Sequence, residues 1–217
     1  MTLEDLVRFV MRRILPMRER KRRAALIDAL ESVARQAKNS VDRGLEPSTA
    51  ILNATLFFLV AERDIQAAKI DAITHPDPWH RSLSARVILL TIHGRDMDKV
   101  AGRRFRQALE TIKAPAELKA ASTDALRRIR KVQRKAEAEF DFLRNATIAH
   151  RDPDALAQYR AIADLDERQV LSLAADFYAE VDALVLALTR LITQSGTLPS
   201  VLAQIAQRGD GAEKRIT

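Results

Sequence analysis

From Val170 to Leu191 the apolar residues Val170, Leu173, Phe177, Val181, Leu184, Leu188 and Leu191 return in steps of three and four. That spacing puts all seven side chains on one side of a helix with 3.6 residues per turn, and no strand can do the same. Shorter versions of the pattern cover most of the chain. Leu26, Ile27, Leu30, Val33, Ala34 and Ala37 carry it between Ala24 and Arg43, and Ile51, Leu52, Leu56, Leu59, Val60 and Ile70 carry it over 48–73. The segment from Ile51 to Ala61 is apolar on most sides, which predicts a central place in a bundle. Aromatic residues are only 5% and glycines only 6 of 217 residues. Ala and Leu dominate, as a helical chain permits and a sheet, which favours β-branched and aromatic side chains, does not. The expected fold class is all-α: an antiparallel helical bundle with an extra basic N-terminal helical segment.

Breakers and caps divide this pattern. A helix over 2–15 with Leu3, Leu6, Val7, Val10 and Ile14 in its stripe is expected to stop at Pro16, since proline disfavours helical geometry in the residue before it. Arg12, Arg13, Arg18, Arg20, Lys21, Arg22 and Arg23 then form a dense basic cluster, read either as a polyanion-binding arm or as a solvated helix start. Gly44 and Pro47 separate the second and third helical patterns. His75-Pro76-Asp77-Pro78-Trp79-His80 predicts a structural corner with Trp79 tucked against the bundle; its two histidines and one aspartate lack a fourth ligand or a known spacing, so no metal site is expected. From Ser82 the pattern runs to about 113, with a kink at Gly94 and His93 as a helix-end residue. Lys113 to Ala121 is a connector, after which Ser122 or Thr123 caps a long helix. Its stripe is Leu126, Ile129, Val132, Ala136, Phe140, Leu143, Thr147 and His150, and Asp152-Pro153 stops it. Asp164 and Glu167 stand at capping-box spacing before the last long helix. A short helix over 200–207 and a disordered tail from Gly209 complete the reading. The expected organisation is a basic arm over 1–45, a helical bundle over 46–195 and a partly disordered tail over 196–217.

Composition limits function. There is no cysteine, so disulfide scaffolds, thiol catalysis and cysteine-bound zinc are excluded, and a reducing compartment fits. No apolar run approaches the roughly 18 residues that span a bilayer, and Glu4 and Asp5 interrupt any leader-like start. A cytoplasmic protein without membrane association is expected. The net charge of +7 favours polyanionic partners such as RNA. On the long helix ending at 150, Arg127, Arg130, Lys131 and Arg134 fall on the flanks and outer side, where they suit RNA phosphates, and Arg151 follows the helix end.

The segment Phe140-Asp141-Phe142-Leu143-Arg144-Asn145-Ala146-Thr147-Ile148-Ala149-His150-Arg151-Asp152-Pro153 is the one arrangement that looks like chemistry rather than packing. On an unbroken helix residues six apart differ by about 240°, so Arg144 and His150 do not share a face. A bend near Asp152-Pro153, or a two-fold axis pairing two copies, would unite them. A histidine ending a helix also favours the dipole, and Arg144 can pair with Asp141 or Asp152, so a purely structural role accounts for the same residues.

Arg144-Asn145-x4-His150 resembles the Arg–polar–x4–His signature of the HEPN superfamily, and the flanking Leu143 and Ile148-Ala149-His150-Arg151-Asp152 are similar to its abortive-infection subgroup. The resemblance extends over roughly 80–195 at fold level and is specific at 143–152. It implies metal-independent RNA cleavage without a cofactor, in a phage-defence or toxin setting. By position, His150 would be the general base or acid for attack of a ribose 2′-OH on the adjacent phosphate. Arg144 would neutralise charge on the phosphorane, and Asn145 would position groups or join a hydrogen-bond network. The products would carry 2′,3′-cyclic phosphate and 5′-OH ends. One histidine serves poorly as both base and acid, so a homodimer pooling two motifs is expected, with an antitoxin or another defence-system protein as a further possible partner. The alternatives are a non-catalytic RNA-binding or toxin-partner protein of the same fold, and a helical interaction scaffold.

Overall fold

The computed structural model describes residues 3–94, 96–144, 147 and 153–213, with the side chains of 3–5, 144 and 208–213 outside the description. Among the described residues the chain is all-α, without strands. The helices are α1 (Leu3–Asp42), α2 (Glu46–Thr74), α3 (Pro78–His93), α4 (Met97–Ala101), α5 (Arg103–Thr111), α6 (Ala116–Arg144), α7 (Ala155–Ala163), α8 (Glu167–Ser195) and α9 (Leu198–Glu213). None of the helices is long and apolar enough to cross a membrane among the described residues.

The chain forms two compact units. The first comprises Met1–Ile27, Ala61–Arg95 and Ile129–Ala179, the second Asp28–Val60, Asp96–Arg128 and Glu180–Thr217. The helices α1, α2, α6 and α8 each contribute a segment to both.

In the first unit α1 runs unbroken through Pro16, where the sequence predicts a stop. A proline removes a single ladder hydrogen bond, and contacts beyond it hold the helix. Glu19 pairs with Lys69 of α2 at 2.9 Å, and Arg22 with Glu62 at 3.1 Å. As α1 advances from 19 to 22 its partners on α2 retreat from 69 to 62, so the two helices are antiparallel. Tyr178 of α8 donates its hydroxyl to Glu62 O at 3.2 Å, and both Arg22 and Lys69 lie over its ring. The core of this unit includes Ile65, Ile88, Ile92, Ile129, Leu173 and Phe177, none more than 1% exposed. Burial of each such side chain contributes about 1.5–3 kcal/mol.

The corner before α3 departs from expectation in one respect. Asp77 caps α3, its carboxylate accepting from Trp79 N–H at 3.0 Å, with Pro78 in the first turn. Trp79, however, is 49% exposed rather than tucked against the bundle. The capping geometry places it at the start of the helix, where it stacks on Tyr159 of α7. His75 and His80 stack with 3.8 Å between ring centroids.

In the second unit Gly44 closes α1 at φ 65°, with its N–H bonded to Val41 O and that of Leu45 to Ser40 O. The left-handed conformation is what glycine accepts at a helix end. The first half of α2 is buried as its composition predicts, Ile51 and Phe58 completely. Beyond Gly94 there is an end rather than a kink: Gly94 N–H bonds Leu90 O, and Asp96 starts α4. At Gly102 a side chain would meet the Asp98 carbonyl at 2.0 Å, which separates α4 from α5. The sequence places the start of α6 too late. The helix begins at Ala116, and Ser122 and Thr123 lie inside it, both donating to Lys119 O. Similarly, in the first unit, at the start of α8, Asp166 and not Asp164 accepts the first-turn N–H, from Arg168 at 2.8 Å, while Asp164 closes α7. The tail expected to be disordered from Gly209 is helical through Glu213. Residues 214–217 lie outside the described residues.

Helix α9 docks through Gln204, which is 3% exposed. Its Oε1 accepts from Ser48 N–H and Ser48 Oγ–H at 3.1 and 2.8 Å, and its Nε2 donates to Ser195 O at 3.2 Å. A short amphipathic helix is marginal alone, and this buried amide ties it to α2 and α8.

Candidate nucleic-acid interface along and at the end of α6

Helix α6 carries every described residue of the candidate site except His93. Leu126, Ile129, Ala136, Phe140 and Leu143 are buried in the predicted periodicity, and Val132 is half-buried. With that side facing the core, the spacing turns the cations outward. Arg127, in the second unit, is exposed and pairs locally with Asp124 at 3.2 Å. Its neighbour Arg128 donates to Glu180, a hydrogen bond that raises the guanidinium pKa above its ordinary value and leaves it charged.

In the first unit Arg130 is half-buried, whereas Lys131 and Arg134 are exposed. Neither Lys131 nor Arg134 has an ion-pair partner among the described residues, so both remain available to an external anion. Lys135 lies 3.6 Å from Asp176 of α8.

Near its end α6 meets the last residue of α3. His93, whose side chain is 9% exposed, has Nε2 at 3.6 Å from Oδ1 of Asp141. These two residues line an open depression of about 650 Å³ with Arg134, Glu137 and Ala138. One turn away, Gln133 donates to Ile92 O at 3.0 Å and fixes the spacing of the two helices. Two carboxylates face one guanidinium in the depression, so its own charge does not favour a phosphate.

The predicted stripe continues to Thr147, which is 7% exposed and donates its hydroxyl to Leu143 O at 2.7 Å. The stop expected at Asp152-Pro153 falls partly outside the described residues, since Asp152 is not among them. Of the predicted catalytic residues, Arg144 ends α6 with its side chain outside the description, and Asn145 and His150 lie outside the described residues, as does Arg151.

Sequence reasoning names Asp141 only as a possible partner of Arg144, and does not bring His93 to it. His93 reads as a helix-end residue, and its contact with Asp141, 48 positions later, is made only by the fold. The sequence did offer one signal for Asp141, which stands three residues before Arg144 and so shares its side of α6. The His75–Asp77–His80 segment spends its groups on structure: Asp77 caps α3, and His80 Nε2 lies 3.8 Å from Asp71. Among the described residues no three histidine or acidic side chains gather in a way that would hold a metal ion. Comparison with known proteins finds no matching family model, no similar curated protein and no similar solved structure.

Proposed function

We propose that this chain is a metal-independent endoribonuclease of the HEPN type, acting as a homodimer in a phage-defence or toxin setting. The observation that carries the reading is the sequence Arg144-Asn145-x4-His150, which begins on the last residue of a 29-residue helix whose outer side presents Lys131 and Arg134, without ion-pair partners among the described residues. On this reading His150 exchanges a proton with the attacking 2′-OH or the leaving 5′-oxygen. Arg144 supplies a permanent, forked donor to the phosphorane, and Asn145 orients the reacting groups. Lys131 and Arg134 lead the backbone phosphates along α6, with Arg127, Arg130 and Arg151 adding positive charge. An addition is suggested by His93 of α3, whose imidazole lies 3.6 Å from Asp141, three residues before Arg144 on α6. Cleavage by 2′-OH attack needs both a base and an acid, and two histidines from one chain or from two protomers meet that need.

The test is incubation of total RNA with purified protein in EDTA, beside His150→Ala and Arg144→Ala. The expected result is cleavage by the wild type alone, leaving 2′,3′-cyclic phosphate ends. Mixed dimers of the two variants should recover activity if the sites are shared across the two-fold axis. A second reading, a non-catalytic RNA-binding or toxin-partner protein, is favoured by Lys131 and Arg134, which have no ion-pair partner among the described residues and need no motif to bind RNA. Salt-sensitive RNA binding without cleavage would select it. An antitoxin or another defence-system protein is the partner to seek in either case.

A further inference from the structure

Trp79 is the only tryptophan of the chain, and aromatic residues make up only 5% of it. The fold buries Phe58 and Phe177 completely or nearly so, yet leaves Trp79 49% and Tyr159 58% exposed. The two rings face each other at 22° with 6.3 Å between centroids. They join the start of α3 to α7 within the first unit. Surface aromatics stacked in this way forgo burial and present flat, polarisable faces to solvent.

Arg86, two turns along α3 from Trp79, lies against this pair. Its guanidinium carbon is 5.9 Å from the Trp79 ring centroid, and the residue is 5% exposed. Its Nε donates to Ser82 O at 3.3 Å, and no carboxylate pairs with it among the described residues. Burial lowers its pKa, as expected of a desolvated cation. Arg81, equally buried on the same helix, is treated differently: it is paired with Glu167 at 3.1 Å. Arg86 therefore keeps a positive charge beside Trp79 that no carboxylate among the described residues neutralises. Arg160, next to Tyr159, is exposed and likewise without an acidic partner among the described residues.

We infer that Trp79 and Tyr159, backed by Arg86 and flanked by Arg160, form a stacking platform for an unpaired nucleobase with its adjoining phosphate. Aromatic faces bind bases of any sequence, and arginine adds cation–π and phosphate contacts. In a duplex the base faces are covered by their neighbours, so the platform selects single-stranded RNA. This inference rests on the proposed RNA reading and deepens it by naming the substrate class. Tyr159 follows His150 by nine residues, so the chain itself keeps platform and motif in one neighbourhood of sequence.

The test uses Trp79 as its own reporter. The His150→Ala protein, which removes cleavage from the experiment, is titrated with fluorescein-labelled single-stranded oligo(A) and with a blunt RNA duplex of equal length. Anisotropy of the label reports binding, and tryptophan emission with unlabelled RNA reports stacking. The expected result is quenching by the single strand, weak binding of the duplex, and roughly 5- to 150-fold weaker single-strand binding in Trp79→Ala or Tyr159→Ala. Tyr159→Phe, which keeps the ring, should bind like the parent, and circular dichroism confirms that each variant is folded. If RNA binds without quenching and Trp79→Ala binds as well as its parent, the platform is overturned while the RNA reading stands. If neither RNA binds, both fall.

Discussion

His93 Nε2 lies 3.6 Å from Asp141 Oδ1, tying the last residue of α3 to the final turns of α6 three residues before Arg144. The Nε2 atom of His93 is sealed from solvent, whereas the Asp141 carboxylate is half-exposed. If His93 takes part in the proposed cleavage, His93→Gln should slow single-turnover cleavage by about 10²–10⁴-fold. RNA affinity should stay close to that of the wild type. Asp141→Asn should have a smaller effect. A His93→Gln protein that cleaves at the wild-type rate removes His93 from the chemistry and leaves it a structural role.

The guanidinium of Arg81 holds one end of the first unit together. Its Nε is 3.1 Å from Glu167 Oε2 at the start of α8, and one terminal nitrogen donates to His75 O at 2.9 Å and Pro76 O at 3.3 Å. Replacement by Met keeps much of the volume but abandons a partly buried carboxylate and two carbonyls. Arg81→Met should destabilise the protein by about 3 kcal/mol in urea denaturation. A loss below about 0.5 kcal/mol would place the residue with surface ion pairs of little worth.

Gln204 carries the docking of α9. The substitution Gln204→Leu fills similar space but strands Ser48 N–H, Ser48 Oγ and Ser195 O in a buried site. A cost of about 2 kcal/mol follows from leaving buried polar groups unsatisfied. Hydrogen exchange should show α9 amides losing protection before those of α2, and equal protection in mutant and wild type would refute the docking role.

At the start of α4, Asp96 accepts from Lys99 N–H at 3.1 Å, and the Lys99 ammonium lies 3.1 Å from its other oxygen. The backbone hydrogen bond and then the Lys99 side chain hold its pKa below the ordinary carboxylate value. Its contribution to the cap is therefore present above the unfolded pKa and lost as pH falls through the lower folded one. An NMR titration should give an Asp96 midpoint below the ordinary 3.8. In Asp96→Asn the cap should persist with no such dependence, because Asn also caps helices well. A midpoint at or above the ordinary value would show that the cap does not form.

The helical class, the buried stripe of α6 and the burial of the first half of α2 follow from spacing alone. Period 3.6 is a local property that a sequence displays whatever surrounds it. Several boundaries do not. Pro16 is passed because Lys69 and Glu62 hold the helix beyond it, and Ser122 is interior because Ala116 already lies in the helix. Each is a local rule overridden by contacts from elsewhere in the chain. The motif at 144–150 is visible as letters, and the Arg144 side chain, Asn145 and His150 lie outside the described residues, so its meaning rests on the cleavage experiment. By itself, then, the sequence determines that helices form, which sides of them are apolar, and that the charge is positive. Tertiary structure alone decides that His93 meets Asp141, that Trp79 meets Tyr159 in the open, and that Arg81 has a carboxylate where Arg86 has none among the described residues. Those pairings join residues 48, 80 and 86 positions apart, and no local periodicity encodes the partner of a side chain at such a distance.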